Sequence, residues 1–435
     1  MALDLAGAPA RAARAKSFIA AALDVGVSKT VCLAAPMSCT APGGRGRSLD
    51  VLGAGILNAR APGAGDDFES CARAVRIAID EAERGADSVI HEVVASYSGP
   101  GLAARIACGQ TKVRGQSVGV REAQAALAAA IHAAPAPGRA ALHVAPLGYR
   151  VDDGPLTPDP RGLEGRVLRV EACIVTAPAA AIEALRQCIR AAGVEPAEIV
   201  AGPYAAGLAA VTEEERAEGV LVVDMGAGGA GFAVLAAEGV THVSQVPVGG
   251  VRMTRALARR LNATFAAAER AKLLHGAVGG SFDPREAIET PRIGADGRLE
   301  AQIVAKKDFV ETLQPIFREA LLQVRARLAD ARLEPHRAPQ RAVLVGGCAR
   351  MPGARELAHE CLGMPVRIGG PMGLNQFDTA RLGAAACAAA GLLRWRLDRP
   401  ADVSEARPYE PTLRDIGAGA TAAASRAWSW LKENF

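Results

Sequence analysis

Two short hydrophobic runs flank a glycine-dense turn in the middle of the chain, in VLVVDMGAGGAGFAVL at residues 220–235. The first run ends at Asp224, and Gly226, Gly228 and Gly229 follow before the second run. Apolar runs joined by such a turn predict a β-hairpin. Because glycine has no side chain, the backbone N–H groups of its tip can approach a bulky anion. By itself the pattern fits a phosphate-binding loop or a buried hairpin without a ligand.

The same order of residues occurs near the N-terminus, in IAAALDVGVSKTVCL at residues 19–33. An apolar run ends at Asp24, Gly26 follows, and Ser28 and Lys29 lie in the turn before a second apolar run. A repeated pattern suggests two halves with one internal plan and a nucleotide between them. Each tip would offer N–H groups to the phosphates, and each aspartate would hold Mg²⁺, usually through water.

Helical spacing of apolar residues predicts an amphipathic helix over residues 67–84, with Gly85 as its stop signal. Another helix should start at Val251, and a long one should cover residues 308–331 with Asp308 at or near its N-cap. Between these, strands are predicted at residues 88–98, 116–120, 142–149 and 167–176, and helices at residues 121–133 and 179–192.

Composition narrows the fold class. A chain of 435 residues with 50% hydrophobic and 4% aromatic residues can hold two substantial domains, and it favours a helix-rich α/β protein. A net charge of +4 is too slight to suggest nucleic acid as the partner. The nine cysteines are scattered without a C-x-x-C pair, which favours buried thiols in a reducing cytosol. No secretory signal precedes Ser17, and the longest apolar run, residues 382–393, is too short to cross a membrane.

The two hairpins resemble the phosphate 1 and phosphate 2 motifs of the actin, Hsp70 and sugar-kinase superfamily. VLVGGCARMPG at residues 343–353 resembles its adenosine motif, and residues 200–211 and 384–393 resemble its two interdomain connecting helices. Within the superfamily the chain most resembles the FtsA family of bacterial cell-division proteins. The resemblance implies a duplicated actin-like (ribonuclease H-like) α/β fold of two domains around a nucleotide cleft, with an inserted 1C-type subdomain.

The resemblance also implies how the chain divides into parts. They are a loose arm (1–17), subdomain 1A (18–92 and 177–214), the inserted subdomain 1C (93–176), subdomain 2A (215–250 and 319–396), subdomain 2B (251–318), a linker (397–412) and an amphipathic membrane-targeting helix (413–435).

ATP and Mg²⁺ are the ligands that the resemblance implies. The implied cofactor-binding residues are Asp24, Gly26, Ser28, Lys29, Asp224, Gly226, Gly228, Gly229, Glu269, Lys272, Gly346 and Gly347, with Asp24 and Asp224 also holding the metal. Glu269 and Lys272 stand at i and i+3 on one helix face, so they form either a surface ion pair or the superfamily's ribose contact.

Two departures from the superfamily pattern concern hydrolysis. Gly229 stands where the second phosphate turn commonly has a hydroxyl, and Gly202 stands where Hsp70-like enzymes have an acid that orients water. Backbone N–H groups and Mg²⁺ would still bind nucleotide, but positioning of the attacking water should suffer. We therefore expect slow hydrolysis or none, and no catalytic residue is assigned.

Partners follow from the resemblance as well. Subdomain 2B of the family receives the acidic C-terminal peptide of the tubulin-like FtsZ, and the basic residues there are Arg292, Arg298, Lys306 and Lys307. Subdomain 1C implies contacts with the next protomer of a filament and with other division proteins.

The end of the chain combines a proline-containing linker with a last segment that reads TLRDIGAGATAAASRAWSWLKENF. Its helical wheel places apolar residues on one side with Trp430 at the flank, and Trp428, Trp430, Leu431 and Phe435 suit a bilayer interface. A helix docked on the protein's own core is the alternative. The membrane hypothesis places the chain on the cytoplasmic face of the bacterial inner membrane at the division site.

Two other functions remain open on the sequence: a small-molecule kinase of the sugar-kinase type, and a PilM-like adaptor of pilus assembly. A kinase needs a base beside the γ-phosphate and has no use for a tryptophan-rich terminal helix on a linker.

Overall fold

The computed structural model describes residues 17–38, 48–58, 68–134, 137–376 and 383–398. The predicted linker beyond Asp398 and the membrane residues Trp428, Trp430, Leu431 and Phe435 lie outside the described residues. Within them, no helix combines the length and the apolar character needed to cross a membrane.

The strands are β1 (Ser17–Val25), β2 (Lys29–Ser38), β3 (Leu49–Asp50), β4 (Gly53–Asn58), β5 (Glu92–Tyr97), β6 (Ala103–Lys112), β7 (Arg139–Val151), β8 (Val167–Pro178), β9 (Glu195–Ala201), β10 (Val220–Met225), β11 (Ala230–Ala236), β12 (Gly239–Val246), β13 (Ala287–Ile293), β14 (Leu299–Ala305), β15 (Arg341–Val345), β16 (Val366–Ile368) and β17 (Leu374–Asn375). The helices are α1 (Phe68–Ala86), α2 (Val120–Ala133), α3 (Ala179–Ala191), α4 (Gly202–Ala210), α5 (Glu213–Glu218), α6 (Gly250–Leu261), α7 (Phe265–His275), α8 (Lys306–Asp330), α9 (Ala354–Leu362) and α10 (Cys387–Asp398).

One strand arrangement occurs in both halves of the chain. In the first half, β1 pairs with β2 as an antiparallel hairpin and with β5 in parallel. In the second half, β10 pairs with β11 as an antiparallel hairpin and with β15 in parallel. The complete sheets run β4-β2-β1-β5-β9 and β16-β15-β10-β11-β12-β6-β8-β7. Both predicted hairpins are therefore present, and each lies next to the parallel centre of its sheet.

Residues between β5 and α3 form an inserted unit of three strands with α2 packed on them. Strand β8 lies between β6 and β7, and β6 reaches the second-half sheet through a single pair, Ala103 with Ser244. The prediction missed β6 because its residues are small or polar. A Cβ atom at Gly109 would lie 2.0 Å from the carbonyl oxygen of Ala126, so the backbone of α2 takes the place of a large side chain.

Two sequence predictions are wrong, one in the inserted unit and one in α1. Residues 116–120 are not a strand, because only Ser117 makes an isolated bridge and Val120 already begins α2. Gly85 does not end α1, which continues to Ala86. A Cβ atom at Gly85 would lie 2.8 Å from the Cα atom of Gly53. This glycine therefore permits close contact between α1 and β4, and it does not end the helix.

Three aromatic rings connect the inserted unit to the helices α4 and α10. His143 of β7 meets Tyr204 of α4 and Trp395 of α10 edge to face, with ring centroids 5.3 and 5.1 Å away. Burial lowers the pKa of His143 to about 3, so the ring is neutral and its Nε2 accepts the N–H of Ala201 at 2.9 Å. Trp395 donates from Nε1 to Glu198 at 2.7 Å.

Helix α8 begins at Lys306, two residues before the predicted start, and Ala305 is its N-cap. Asp308 lies in the first turn, as the prediction allowed, and its carboxylate accepts a hydrogen bond from Arg260 at 2.6 Å. Helix α10 continues through Asp398 into residues predicted as the start of the linker.

Candidate functional site

The two hairpin tips contact each other. In the first tip, the N–H of Gly26 donates to the carbonyl of Lys29 at 2.9 Å, and in the second the N–H of Gly226 donates to that of Gly229 at 3.0 Å. A Cβ atom at Gly228 would lie 2.8 Å from Cγ2 of Val27. The tips can approach this closely because residue 228 has no side chain.

Asp24, Lys29 and Asp224 form one electrostatic cluster at the base of these tips, and all three are partly exposed. Burial raises the pKa of Asp24, against the lowering effects of a hydrogen bond from Ser96 and the charge of Lys29. Burial, with the charge of Asp24 added, raises the pKa of Asp224 to about 7. Burial also lowers the pKa of Lys29, while the two carboxylates pull it upward. Two carboxylates that lie beside a single lysine can hold a cation.

The start of α6 holds the second tip in place. The N–H of Gly250 donates to the carbonyl of Gly226 at 3.0 Å, and the N–H of Val251 donates to that of Ala227 at 2.9 Å. A Cβ atom at Gly249 would lie 2.5 Å from the nitrogen of Gly229. The first N–H groups of the helix are thereby used to shape the tip.

Glu269 and Lys272 form an ion pair in which the lysine is buried and the glutamate is partly exposed. Their charged atoms are 2.7 Å apart, and the side chain of Lys272 is only 5% exposed. The ammonium also donates to the Thr254 hydroxyl at 2.7 Å and to the Gly250 carbonyl at 3.2 Å. An ammonium has three donors, so Lys272 is fully used inside the protein. Its contacts fix α7 to the start of α6 and orient the carboxylate of Glu269.

The loop after β15 runs beside Asp224. Gly346 has a φ of +90°, and a Cβ atom there would lie 2.3 Å from Oδ1 of Asp224. Its N–H donates to the carbonyl of Ala384 at 2.9 Å, just before α10. A Cβ atom at Gly347 would meet nothing within 4 Å. Cys348 is buried with its Sγ 3.7 Å from the carbonyl oxygen of Gly226.

The structure thus brings the nucleotide-site residues predicted from the two hairpins, from α7 and from the loop after β15 to one place. Reasoning from the sequence missed Ser96, Thr254 and Cys348. Cys348 lies within the predicted adenosine motif, so its position was visible. Ser96 and Thr254 carry no local pattern, because they reach the site only through strand pairing and helix packing.

The basic residues predicted for subdomain 2B lie elsewhere, on the β13–β14 hairpin and the first turn of α8. Arg292 pairs with Glu300 at 2.9 Å, and Arg298 with Asp296 at 3.6 Å, while Lys306 and Lys307 begin α8. The same hairpin exposes two large apolar side chains, Leu299 and Ile303.

A cavity of about 660 Å³ lies between the inserted unit and the second half, away from the hairpin tips. Arg105, Glu171, His242 and Asp330 are among its lining residues. Both signs of charge are mixed there, and none of the predicted nucleotide-site residues lines it. The convergence of glycine backbone, Lys29 and two carboxylates at the tips is therefore the better candidate for a site that binds a phosphate together with a cation.

Comparison with known proteins decides the family. The family model described as "Cell division protein FtsA" matches residues 221–390, and that described as "SHS2 domain inserted in FTSA" matches residues 102–176. The cell division protein FtsA of Rhizobium meliloti is 31% identical over 427 residues, which cover 97% of this chain and 96% of the relative. The chain belongs to the FtsA family.

Other FtsA proteins align along most of the chain. The protein of Pseudomonas aeruginosa is 28% identical over 87% of this chain and 89% of its own length. That of Escherichia coli strain K12 is 25% identical over 95% of this chain and 97% of its own length.

Solved structures support the fold of this FtsA family member. The PilM-PilN type IV pilus biogenesis complex has a TM-score of 0.60 at 20% identity, covering 88% of this chain and 99% of that chain. MreB5 of Spiroplasma citri bound to ADP has a TM-score of 0.51 at 13% identity, covering 87% and 96%. At these identities the likeness concerns the fold alone. The duplicated actin-like α/β fold with an inserted domain is confirmed.

Proposed function

We propose that this FtsA family member binds Mg²⁺-ATP between its hairpin tips, polymerises on the cytoplasmic face of the bacterial inner membrane and tethers the FtsZ ring there. The observation that supports it most is the contact of the two glycine tips beside Asp24 and Asp224. Backbone N–H groups at the tips offer donors to phosphate oxygens without a bulky side chain in the way.

Magnesium fits the donor set in this proposal. Oxygen ligands suit this cation, which keeps several waters and binds through one or two carboxylates. A bound dication would offset the burial and the repulsion by Asp24, which together raise the pKa of Asp224 to about 7. Lys29, whose charge interacts with both carboxylates, would lie beside the phosphates of the bound nucleotide.

The adenosine end of the ligand would lie against Gly346 and Gly347. Open space at Gly347 leaves room for a flat base beside the backbone. The ribose hydroxyls would donate to the carboxylate of Glu269, because all three donors of Lys272 are satisfied within the protein. Lys272 therefore orients the ribose-binding carboxylate in this proposal and does not contact the sugar itself.

Hydrolysis would be slow or absent. The position where relatives of the superfamily have a hydroxyl is Gly229, and a Cβ atom there would lie 2.3 Å from the carbonyl oxygen of Val246. At Gly202 a Cβ atom would lie 1.9 Å from Oγ of Ser98. Neither position accepts a larger side chain without local movement, so the acid that orients water in Hsp70-like enzymes has no counterpart there.

Membrane and partner contacts complete the proposal. The C-terminal segment with Trp428, Trp430, Leu431 and Phe435 would lie in the lipid interface. The β13–β14 hairpin of the proposed subdomain 2B would receive the FtsZ C-terminal peptide. Its exposed Leu299 and Ile303 lie near Arg292, Arg298, Lys306 and Lys307, which combines apolar contact with positive charge. The inserted subdomain would contact the next protomer and other division proteins.

A Gly347→Ala variant tests the nucleotide site without disturbing the fold. The added methyl group meets no protein atom, so stability should be unchanged, but it would occupy space that the base needs. We expect Mg²⁺-ATP to bind at least about tenfold more weakly, the equivalent of 1.4 kcal/mol. Titration of a fluorescent ATP analogue in the presence of Mg²⁺ measures this.

Gly370→Ala is the matched control, because a Cβ atom there also meets nothing within 4 Å. Equal affinity of the two variants and the parent protein would contradict the proposed adenosine site. Turnover of ATP on a small hydroxyl acceptor would instead support the alternative of a sugar-type kinase. Binding of a pilus membrane protein's tail would support the PilM-like alternative.

A further inference from the structure

Two cysteines that are far apart in sequence meet between α1 and α3. The Sγ atoms of Cys71 and Cys188 are 2.7 Å apart, across a sequence separation of 117 residues. Both helices belong to the first half of the chain and pack on each other. The sequence predicted buried thiols, which is confirmed for Cys188 and five other described cysteines but not for Cys108, which is exposed, or for Cys71, which is partly exposed.

Cys71 has the features of a reactive thiol. Its partial exposure lets a small oxidant reach the sulfur, while Cys188 behind it is only 3% exposed. The Cys188 thiol donates a hydrogen bond toward Cys71, which lowers the pKa of Cys71 to about 7 despite burial. The same hydrogen bond, together with burial, raises the pKa of Cys188. An attacking thiolate with a neighbouring thiol is the arrangement found in dithiol redox sites.

We propose that Cys71 and Cys188 are a redox modification site that forms a reversible disulfide in the presence of hydroperoxides. The Cys71 thiolate attacks a peroxide oxygen, the O–O bond breaks, and sulfenic acid and hydroxide form. The Cys188 thiol then attacks the sulfenic sulfur, an S–S bond forms and water leaves. In total, two thiols and one hydrogen peroxide give one disulfide and two waters, with two electrons passing to the peroxide.

The position of the pair gives the bond a consequence. The loop that it closes, from residue 71 to residue 188, contains the whole region matched by the inserted-domain model, residues 102–176. Strand β8 leaves the inserted unit and passes directly into α3 at Ala179. A disulfide would therefore fix the chain that leaves the inserted unit to α1.

Peroxide titration of the reduced full-length chain tests the proposal. After hydrogen peroxide treatment we expect a monomer that migrates faster on a non-reducing gel, because the cross-link closes a long loop. Peptide mapping should find the segments of Cys71 and Cys188 joined, with the loss of two hydrogen atoms. A proteolytic cut within residues 102–176 should leave two fragments that separate only after dithiothreitol is added.

Two variants distinguish the role of Cys71, which attacks the peroxide, from that of Cys188, which closes the disulfide. Cys71→Ser should abolish the fast band, and Cys188→Ala should leave sulfenic acid at Cys71 that dimedone captures. Cys108→Ser is the control and should keep the fast band, because this exposed thiol lies on β6. Circular dichroism checks the fold of each variant. The peptide map of the parent chain does not depend on the variants. Sulfinic acid at Cys71 without a cross-link, or oxidation of Cys108 while Cys71 stays reduced, would overturn the proposal.

Discussion

At the scale of single residues, ionisation of the Asp224 carboxyl should lower the stability of the folded chain. Its pKa of about 7 in the folded chain, against 3.8 as the ordinary value, means that the folded state binds this proton more tightly than the unfolded state. The free energy of unfolding therefore falls as pH rises from about 4 to 7, and the whole cost is present above pH 7. A carboxyl group whose pKa is raised in this way is typical of a functional site, and in the proposed function it binds a cation.

An Asp224→Asn variant should be more stable than the parent chain at pH 8 in the absence of Mg²⁺ and nucleotide. Removing the ionised carboxylate should raise the free energy of unfolding by about 2–4 kcal/mol, at roughly 1.4 kcal/mol per pKa unit with a discount for solvent screening. The difference should vanish near pH 3, where the parent carboxyl is mostly protonated in both states. Urea unfolding at the two pH values measures it, and Mg²⁺-ATP binding should weaken in the same variant.

Asp153→Asn is the control for that experiment, because the side chain of Asp153 is fully exposed and 3.6 Å from Arg169. We expect it to shift stability by less than about 0.5 kcal/mol at either pH. Lower stability of Asp224→Asn than of the parent at pH 8 would show that the ionised carboxylate stabilises the fold.

Residues of the site were predictable only where they sit in a local pattern. Asp24 and Asp224 end apolar runs and precede glycines, so hairpin geometry alone brings them to the tips. Thr254 was not predictable, because its hydroxyl reaches Lys272 only after α6 and α7 pack. Likewise, spacing showed Glu269 and Lys272 on one helix face, but only the packed structure shows that the lysine is buried and fully paired.

At the scale of elements, α4 and α10 pack with their backbones in near contact. A Cβ atom at Gly391 of α10 would lie 1.6 Å from the carbonyl oxygen of Ala205 in α4. Both helices are rich in alanine and glycine, which permits this short separation. In the proposed function they are the interdomain connecting helices, so their spacing would set how the two halves close on nucleotide.

A Gly391→Ala variant should force these helices apart. Because backbone stands opposite the new methyl group, the clash has no flexible side chain to absorb it, and we expect a loss of about 1–3 kcal/mol in the free energy of unfolding. Chemical denaturation measures the loss. Gly115→Ala is the control, because its nearest neighbours lie at 3.8 Å or more, and it should be nearly neutral. Equal stability of the two variants would show that α4 and α10 can separate at little cost.

Elements whose apolar residues alternate with polar ones or recur at helical spacing were predicted well. The exceptions share one cause, a glycine that packs against the backbone of a distant element. Strand β6 has few large apolar residues because the α2 backbone lies on Gly109. Gly85 looked like a helix stop because its role, contact with Gly53, depends on a partner far away in sequence. Glycines that serve packing and glycines that serve turns cannot be distinguished without the fold.

At the scale of the whole molecule, the inserted unit is attached to both halves. Its β6 pairs with β12 of the second half, and His143 contacts α4 and α10. Arg337, only 1% exposed, pairs with Glu171 of β8 at 2.8 Å. These contacts pack the inserted unit, which we propose for filament contacts, against elements from both halves of the chain. The sequence indicated the insertion by its position but could not show these attachments.

Membrane binding in this proposal depends on the assembly, not on the single chain. Burial of each Trp, Leu or Phe side chain of the C-terminal segment contributes roughly 1.5–3 kcal/mol at most, and ordering the segment offsets much of that. A single C-terminal segment should therefore bind the membrane only briefly. A filament that presents many tails binds far more firmly, because each further contact forms at a high effective concentration.

Co-sedimentation with liposomes of anionic lipid tests that dependence. With Mg²⁺-ATP the full chain should pellet with the liposomes, and without nucleotide it should pellet much less, because fewer tails act together. Removal of the last fifteen or so residues, or the single change Trp428→Asp, should abolish pelleting under both conditions. Ser429→Asp, which adds the same charge on the predicted polar face, should retain it. Undiminished pelleting of Trp428→Asp would show that the tail does not lie in the lipid interface and would favour a helix docked on the protein's own core.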